Sequence, residues 1–245
     1  MTAGSSEGGG IAGRPIVALD TSTDRTLVVL GYRDGRIREA ALAASSRRHG
    51  TGLVPAIRDL LADAGLSLAD LGAIAVGIGP GSYTGIRIGL TAAKVLAHVA
   101  GIPLLALDSL EAMAHSAAPP AGTRRLVVAV DAQRGEVYTA AFEPAGPELR
   151  PSRLSPTEIV GLEEWRSRLE PGDHVVSPSF ERLGLNPAAG VTRENSENGL
   201  PGAAGLVGLA WAVAVDGATV DPFAVEPCYL RRSAAEEKRA LETHS

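Results

Sequence analysis

One cysteine, Cys228, stands in 245 residues. A lone thiol excludes an internal disulfide framework and any multi-thiolate metal site. Aromatic residues make up only 4% of the chain, so the core has to be built from Ala, Val, Leu and Ile. No apolar run is long enough to cross a bilayer. The five histidines stand at positions 49, 98, 115, 174 and 244, and no two are four apart. Leu53 follows His49 at i+4, so the helical H-x-x-x-H metal pair is missing. Positive charge is in deficit: 23 Lys and Arg against 28 Asp and Glu leave a net charge of −5. That balance argues against non-specific nucleic-acid binding by the chain itself. Arg47-Arg48-His49 is the nearest thing to a basic patch and reads as a solvated turn. The opening MTAGSSEGGGIAGR lacks the apolar segment of a secretory signal. It is expected to be a disordered tail over 1–14, and the polar RRSAAEEKRALETHS is expected to leave a flexible tail over 232–245. A cytoplasmic protein follows from these expectations.

What is present is ordinary for a globular chain, 45% apolar and 21% charged. The length suits one large domain or two modest lobes. Ile16-Val-Ala-Leu-Asp20 is an apolar strand ending on a carboxylate, Thr21 to Asp24 is a turn, and Thr26 to Tyr32 is β-rich. Asp34-Gly35 marks a hairpin and Ile37 to Ala43 its return strand. The spacing of Leu53, Ile57, Leu60, Leu61 and Ala64 predicts a helix over 51–64, closed by Gly65. Ala73 to Ile78 reads as a buried strand, 84–101 as a second helix, Leu104 to Leu107 as a strand, and a further helix starts at Ser109. Three antiparallel strands before alternating helices and strands is the order of ribonuclease-H-like and actin-like folds. A dinucleotide-binding unit would pass from its first strand straight into a helix.

The second half starts in the same way. Leu126-Val-Val-Ala-Val-Asp131 is followed by a turn and then by Glu136 to Phe142, a repeat of strand, Asp, turn and strand. The expected fold is therefore α/β, a duplicated two-lobe actin-like arrangement of mixed sheets flanked by helices. The N-terminal lobe is expected over 15–108 and the C-terminal lobe over 109–231, with its last helix packed back on the first lobe. Helices are expected over 157–169 and 203–215.

The stretch GIGPGSYTGIRIG (77–89) invites a phosphate-loop reading, since bare backbone amides can converge on an anion. The spacing refuses it. No Lys follows Gly85 before Lys94, the dinucleotide G-x-G-x-x-G fails, and Ser82 directly follows Gly81 rather than sitting in G-x-S-x-G. The period that does hold is four: Gly81, Gly85, Gly89, Ala93, Ala97 and Gly101. On a helix these share a face and make a bare ridge for close approach. The ridge fits either this chain's own sheet or a helix of another subunit.

Asp20 and Asp131 are the remaining chemical candidates. In actin-like ATPases an Asp ends the first strand of each lobe and faces bound metal–nucleotide, which would make Asp20, Thr21 and Thr23 a phosphate loop with Asp131 opposite. Asp and Thr are equally good turn and capping residues, and no convincing adenosine-binding Gly-Gly segment follows.

Taken together, IVALDTST, the helix H49-x-x-x-L-x-P-x-I-x-x-L-L61, GIGPGSYTGIRIGL, DAQRGEVY and EPCYLR (226–231) resemble the TsaB family. These motifs run from residue 16 to 231, and GPGS[FY]TG[VI]RIG is specific. The resemblance implies an actin-like, non-catalytic subunit of the bacterial machinery that makes tRNA threonylcarbamoyladenosine (t6A). The catalytic subunit TsaD transfers a threonylcarbamoyl group from an adenylate onto the adenosine beside the anticodon of tRNAs reading codons that begin with A. The ATPase TsaE joins the pair. The resemblance further implies that this chain has no cofactor of its own, that ATP and a metal ion sit on partner subunits, and that tRNA is met only within the complex. It leaves open whether the isolated chain forms a homodimer. Docking on TsaD is expected through the first two helices, with His49, Leu53, Ile57, Leu60, Leu61, Gly85, Ile86, Gly89, Leu90, Ala93 and Ala97 as the contact residues. On that expectation Leu53→Arg or Gly89→Leu abolishes association and leaves the chain folded. The alternative is an actin-like small-molecule phosphotransferase that uses Asp20 and Asp131.

Overall fold

A computed structural model describes residues 11, 13–43, 49–144, 151–184, 189–194 and 199–230. Of the tail expected over 1–14, residues 1–10 and 12 lie outside the described residues, as do the tail expected over 232–245 and Arg47 and Arg48. Ile11 packs on the first lobe's core, and its carbonyl accepts from the Arg14 amide at 3.3 Å. Two mixed sheets organise the chain. In the first, β1 (Ile16–Asp20) pairs antiparallel with β2 (Arg25–Gly31), which pairs antiparallel with β3 (Ile37–Ala43). On its other side β1 runs parallel to β4 (Ala73–Gly77), and β4 runs parallel to β5 (Leu104–Leu107).

The second sheet repeats this plan. β6 (Arg125–Gln133) pairs antiparallel with β7 (Glu136–Phe142), and β7 with β8 (Glu158–Gly161). β9 (Asp173–Val176) lies parallel to β6, and β10 (Thr192–Arg193) lies parallel to β9. Both sheets thus carry the order 3-2-1-4-5, and a short β11 (Thr219–Val220) extends the first at β5. The repeat of IVALD and LVVAVD extends to the whole sheet, which is the duplicated actin-like, ribonuclease-H-like architecture.

Two helices, α1 (His49–Asp63) and α2 (Tyr83–Ala100), cover one face of the first sheet. Ser82 caps α2 by accepting from the Gly85 amide at 3.2 Å, and Gly101 ends it in the left-handed region at φ 65°. Leu53, Ile57, Leu60 and Leu61 of α1 and Leu90, Ala93 and Ala97 of α2 join Val17, Leu19, Val28 and Leu30 in one core. The opposite face carries α5 (Ala203–Val215), packed on Ile16, Ala18, Leu27 and Val29. α5 reads AAGLVGLAWAVAV because it is wedged between that sheet and α3 (Ser109–Ser116), which itself lies on β6 and β7. The two helices that pass between the lobes therefore pack on each other, and Gly205 lets them close: a Cβ there would stand 2.1 Å from Ser116 Oγ.

One expected element changes character. Instead of a single helix over 157–169, the chain forms the edge strand β8 and then the short α4 (Leu162–Ser167). Ile159 and Val160 carry β-branched side chains suited to a pleated surface, and Val160 and Trp165 are both buried in the second lobe's core. Among the described residues no helix is long and apolar enough to cross a membrane.

Candidate functional site

Asp20 sits at the end of β1 and is fully buried. Its Oδ1 accepts from the Ser22 amide at 2.8 Å and from the Ser22 hydroxyl at 2.6 Å, and its Oδ2 accepts from Ser109 Oγ at 2.7 Å. Both oxygens are engaged inside the protein. Burial pushes this carboxyl above the usual Asp range, with the Ser22 and Ser109 hydrogen bonds acting in the other direction. Thr21 is also enclosed, its hydroxyl donating to the Gly85 carbonyl at 2.7 Å. The Ser82 amide donates to the Ser22 carbonyl at 2.7 Å. The loop that could have served as a phosphate cradle is zipped to the start of α2.

This pinning explains the glycines. A Cβ on Gly85 would stand 2.0 Å from the Thr21 carbonyl oxygen, and one on Gly89 would stand 2.2 Å from Thr21 Oγ1. The small ridge is thus spent on the turn after β1, its continuation Ala93 and Ala97 on the core below it. Gly85 and Gly89 are buried within the helix.

Most of the expected contact residues are buried in the isolated chain. Leu53, Ile57, Leu60, Leu61, Ile86, Leu90, Ala93 and Ala97 are all turned into this chain's own interior. His49 opens α1, and its side chain lies outside the described residues. The outward face of the two helices is made by other residues. Ile88, Ala92, Val95 and Val99 follow one another at i, i+4, i+7 and i+11, beside Val54 of α1. Val54 is 47% exposed, Val95 55% and Val99 74%. Val54, Ile88, Ala92 and Val95 border a shallow groove of about 530 Å³ that Leu53, Arg87, Thr91 and Leu96 also line. The inward set 86, 90, 93, 97 and the outward set 88, 92, 95, 99 differ by two residues, which is about 200° around a helix. α2 is therefore apolar on two opposite faces, and its own fold covers the second only in part: Ile88 and Ala92 are half-buried against the first-sheet core, while Val95 and Val99 stand out from it.

Between the lobes lies a second concavity of about 950 Å³. Thr23, Asp24, Arg25, Asp131, Arg182 and Cys228 are among its lining residues, and Asp20 and Thr21 are not. The structure thus brings Thr23 and Asp131 to the cleft and leaves Asp20 behind the wall. Asp131 Oδ1 accepts from the Gln133 amide at 2.7 Å, and its Oδ2 faces Arg182 Nη1 at 3.4 Å. Gln133 and Arg134 make this turn at φ 62° and 56°. Burial pushes the Cys228 thiol up, which keeps it protonated at neutral pH and a poor nucleophile. At the rim Tyr83 stacks on Tyr229 at 4.9 Å between ring centroids. Among the described residues no group of three or more His, Cys, Asp or Glu is placed to hold a metal ion.

TsaB of Escherichia coli, named for tRNA threonylcarbamoyladenosine biosynthesis, is 31% identical over 91% of this chain and 97% of its own length. The chain belongs to the TsaB family. TsaB of Haemophilus influenzae is 32% identical over 91% of this chain and 96% of its own length. A solved structure described as YeaZ from Pseudomonas aeruginosa superposes with a TM-score of 0.75 at 29% identity, covering 89% of this chain and 100% of that one. The family model for TsaD, tRNA N6-adenosine threonylcarbamoyltransferase, also matches residues 43–166. A tRNA N6-adenosine threonylcarbamoyltransferase of Sphingopyxis alaskensis is 35% identical over only 34% of that protein's length. These two TsaB relatives match nearly end to end, whereas this transferase matches over a part.

The Asp20 turn supports a concrete expectation for this TsaB-family chain. Asp20→Ala removes the acceptor of three hydrogen bonds and is expected to cost about 2–4 kcal/mol in denaturant unfolding. Asp20→Asn keeps the shape and is expected to cost much less. Because the folded chain holds the Asp20 proton more tightly than the unfolded chain, it binds more protons just above the usual Asp range. Stability then falls as pH rises through that window. The stability of wild type relative to Asp20→Asn should accordingly decline from about pH 4 upward.

Proposed function

We propose that this chain is the non-catalytic subunit of a tRNA threonylcarbamoyltransferase complex, and that it docks on TsaD through the outward face of α1 and α2. The observation that carries the reading is the second apolar stripe of α2, Ile88, Ala92, Val95 and Val99. A helix with apolar residues on two opposite faces needs a second partner, and Val54 of α1 continues the surface. In this reading TsaD performs the transfer onto the adenosine beside the anticodon, TsaE supplies the ATPase, and ATP and the metal ion belong to those subunits. tRNA is met within the complex, in the cytoplasm. The enclosure of Asp20 by Ser22 and Ser109 supports a structural role for that carboxylate. It speaks against the phosphotransferase reading, which needs Asp20 open to a ligand.

The test is binding to purified TsaD. Val95→Arg puts a charge into the centre of the proposed contact and should weaken association by roughly 100-fold, as truncating or burying a charge at a hot spot does. Val95 faces solvent in the isolated chain, so its unfolding free energy should stay within about 0.5 kcal/mol of wild type. Undiminished affinity in a folded Val95→Arg chain would remove the proposed face.

A further inference from the structure

The interlobe cleft is crossed by a bridge that the proposed docking function does not use. Asp24 lies in the β1–β2 turn of the first lobe, and Arg182 follows β9 in the second. Arg182 Nη2 meets Asp24 Oδ2 at 2.8 Å, while Nη1 faces Asp131 Oδ2 at 3.4 Å. All three residues line the cleft. The lobes are joined elsewhere by the packed pair α3 and α5, where the Gly202 amide donates to Ser116 Oγ at 2.8 Å. A close-packed junction at one place and an ion-pair tie across a concavity at another is the layout of a hinge with a latch.

We propose that Arg182 is the latch that holds the interlobe cleft closed. Asp131 is the fixed end of the latch: it belongs to the same lobe as Arg182, is mostly buried, and is itself held by the Gln133 amide. It orients the guanidinium toward Asp24. Asp24 is the releasing end, 77% exposed, and Arg182 is 60% exposed. Exposed pairs of this kind are weak and screened by salt. The closed state is therefore favoured by a modest factor and opens readily, as a gate should. A tie buried from solvent would lock the lobes instead.

The measurement is a distance distribution between the lobes. Glu39→Cys on exposed β3 and Glu163→Cys on exposed α4 carry spin labels, with Cys228→Ser removing the native thiol. Adding Arg182→Gln should raise the population at longer distance by about two- to five-fold, the range that a surface ion pair controls. Raising salt from 0.1 M to 1 M shortens the Debye length from about 10 Å to about 3 Å. That change should open the labelled chain that retains Arg182 and leave Arg182→Gln unmoved. Both partners lie at the surface, so the variant should keep its melting temperature. Identical distributions with and without Arg182, or an equal salt response in both, would overturn the latch.

Discussion

Leu53→Arg is expected to leave little folded protein at any temperature, measured as soluble yield and as far-ultraviolet circular dichroism. Leu53 is fully buried among Ile57, Leu60, Leu61 and the strands of the first sheet. Removing a buried leucine costs about 2–5 kcal/mol by itself. Placing an unpaired guanidinium there adds several kcal/mol more, against a total stability of about 5–15 kcal/mol. The sequence alone suggests a variant that dissociates from a partner while remaining folded; burial makes it a folding variant. A soluble, cooperatively melting Leu53→Arg chain would show that this helix face is open after all.

Gly85→Val should have the next largest effect. The Cβ would stand 2.0 Å from the carbonyl oxygen of Thr21, a backbone atom that cannot swing away. That oxygen belongs to the residue whose hydroxyl donates to the Gly85 carbonyl, and the neighbouring Ser22 carbonyl accepts from Ser82. Relief of the clash therefore breaks the zipper between the β1 turn and α2. Overpacking of this kind costs about 3 kcal/mol or more, which for a chain of this size corresponds to a fall in Tm on the order of 10 °C. Gly89→Leu meets the Thr21 side chain and should behave similarly. A scan by differential calorimetry distinguishes both from Val95→Arg, which leaves Tm in place.

Much of this was legible in the residues. Strand runs such as IVALD and LVVAVD, the hairpin signal at Asp34-Gly35 and the four-residue period through α2 place most elements within a residue or two. Which side of α2 is left for a partner is less legible, for a physical reason. Period-four small residues show that something approaches α2 closely, and the sequence does not say whether it is the chain's own β1 turn or another protein. The second stripe, Ile88, Ala92, Val95 and Val99, carries the needed signal: it lies opposite Ile86 and Leu90, and its outer members Val95 and Val99 stay exposed after α2 has covered the sheet. The strand at Glu158–Gly161 was hidden because an edge strand running into one turn of helix mimics a longer helical pattern. The pairing of Asp20 with Ser109, 89 positions apart, and of Arg182 with Asp24, 158 apart, left no local trace.

The most direct test of the central claim is an omission assay. TsaD, TsaE, a threonylcarbamoyl-adenylate synthase, threonine, bicarbonate, ATP and unmodified tRNA are combined with and without this chain, and modified adenosine is quantified. The account predicts product only when the chain is present, none from the chain without TsaD, and loss of product with Val95→Arg. Equal product without the chain, or product from the chain without TsaD, would contradict it.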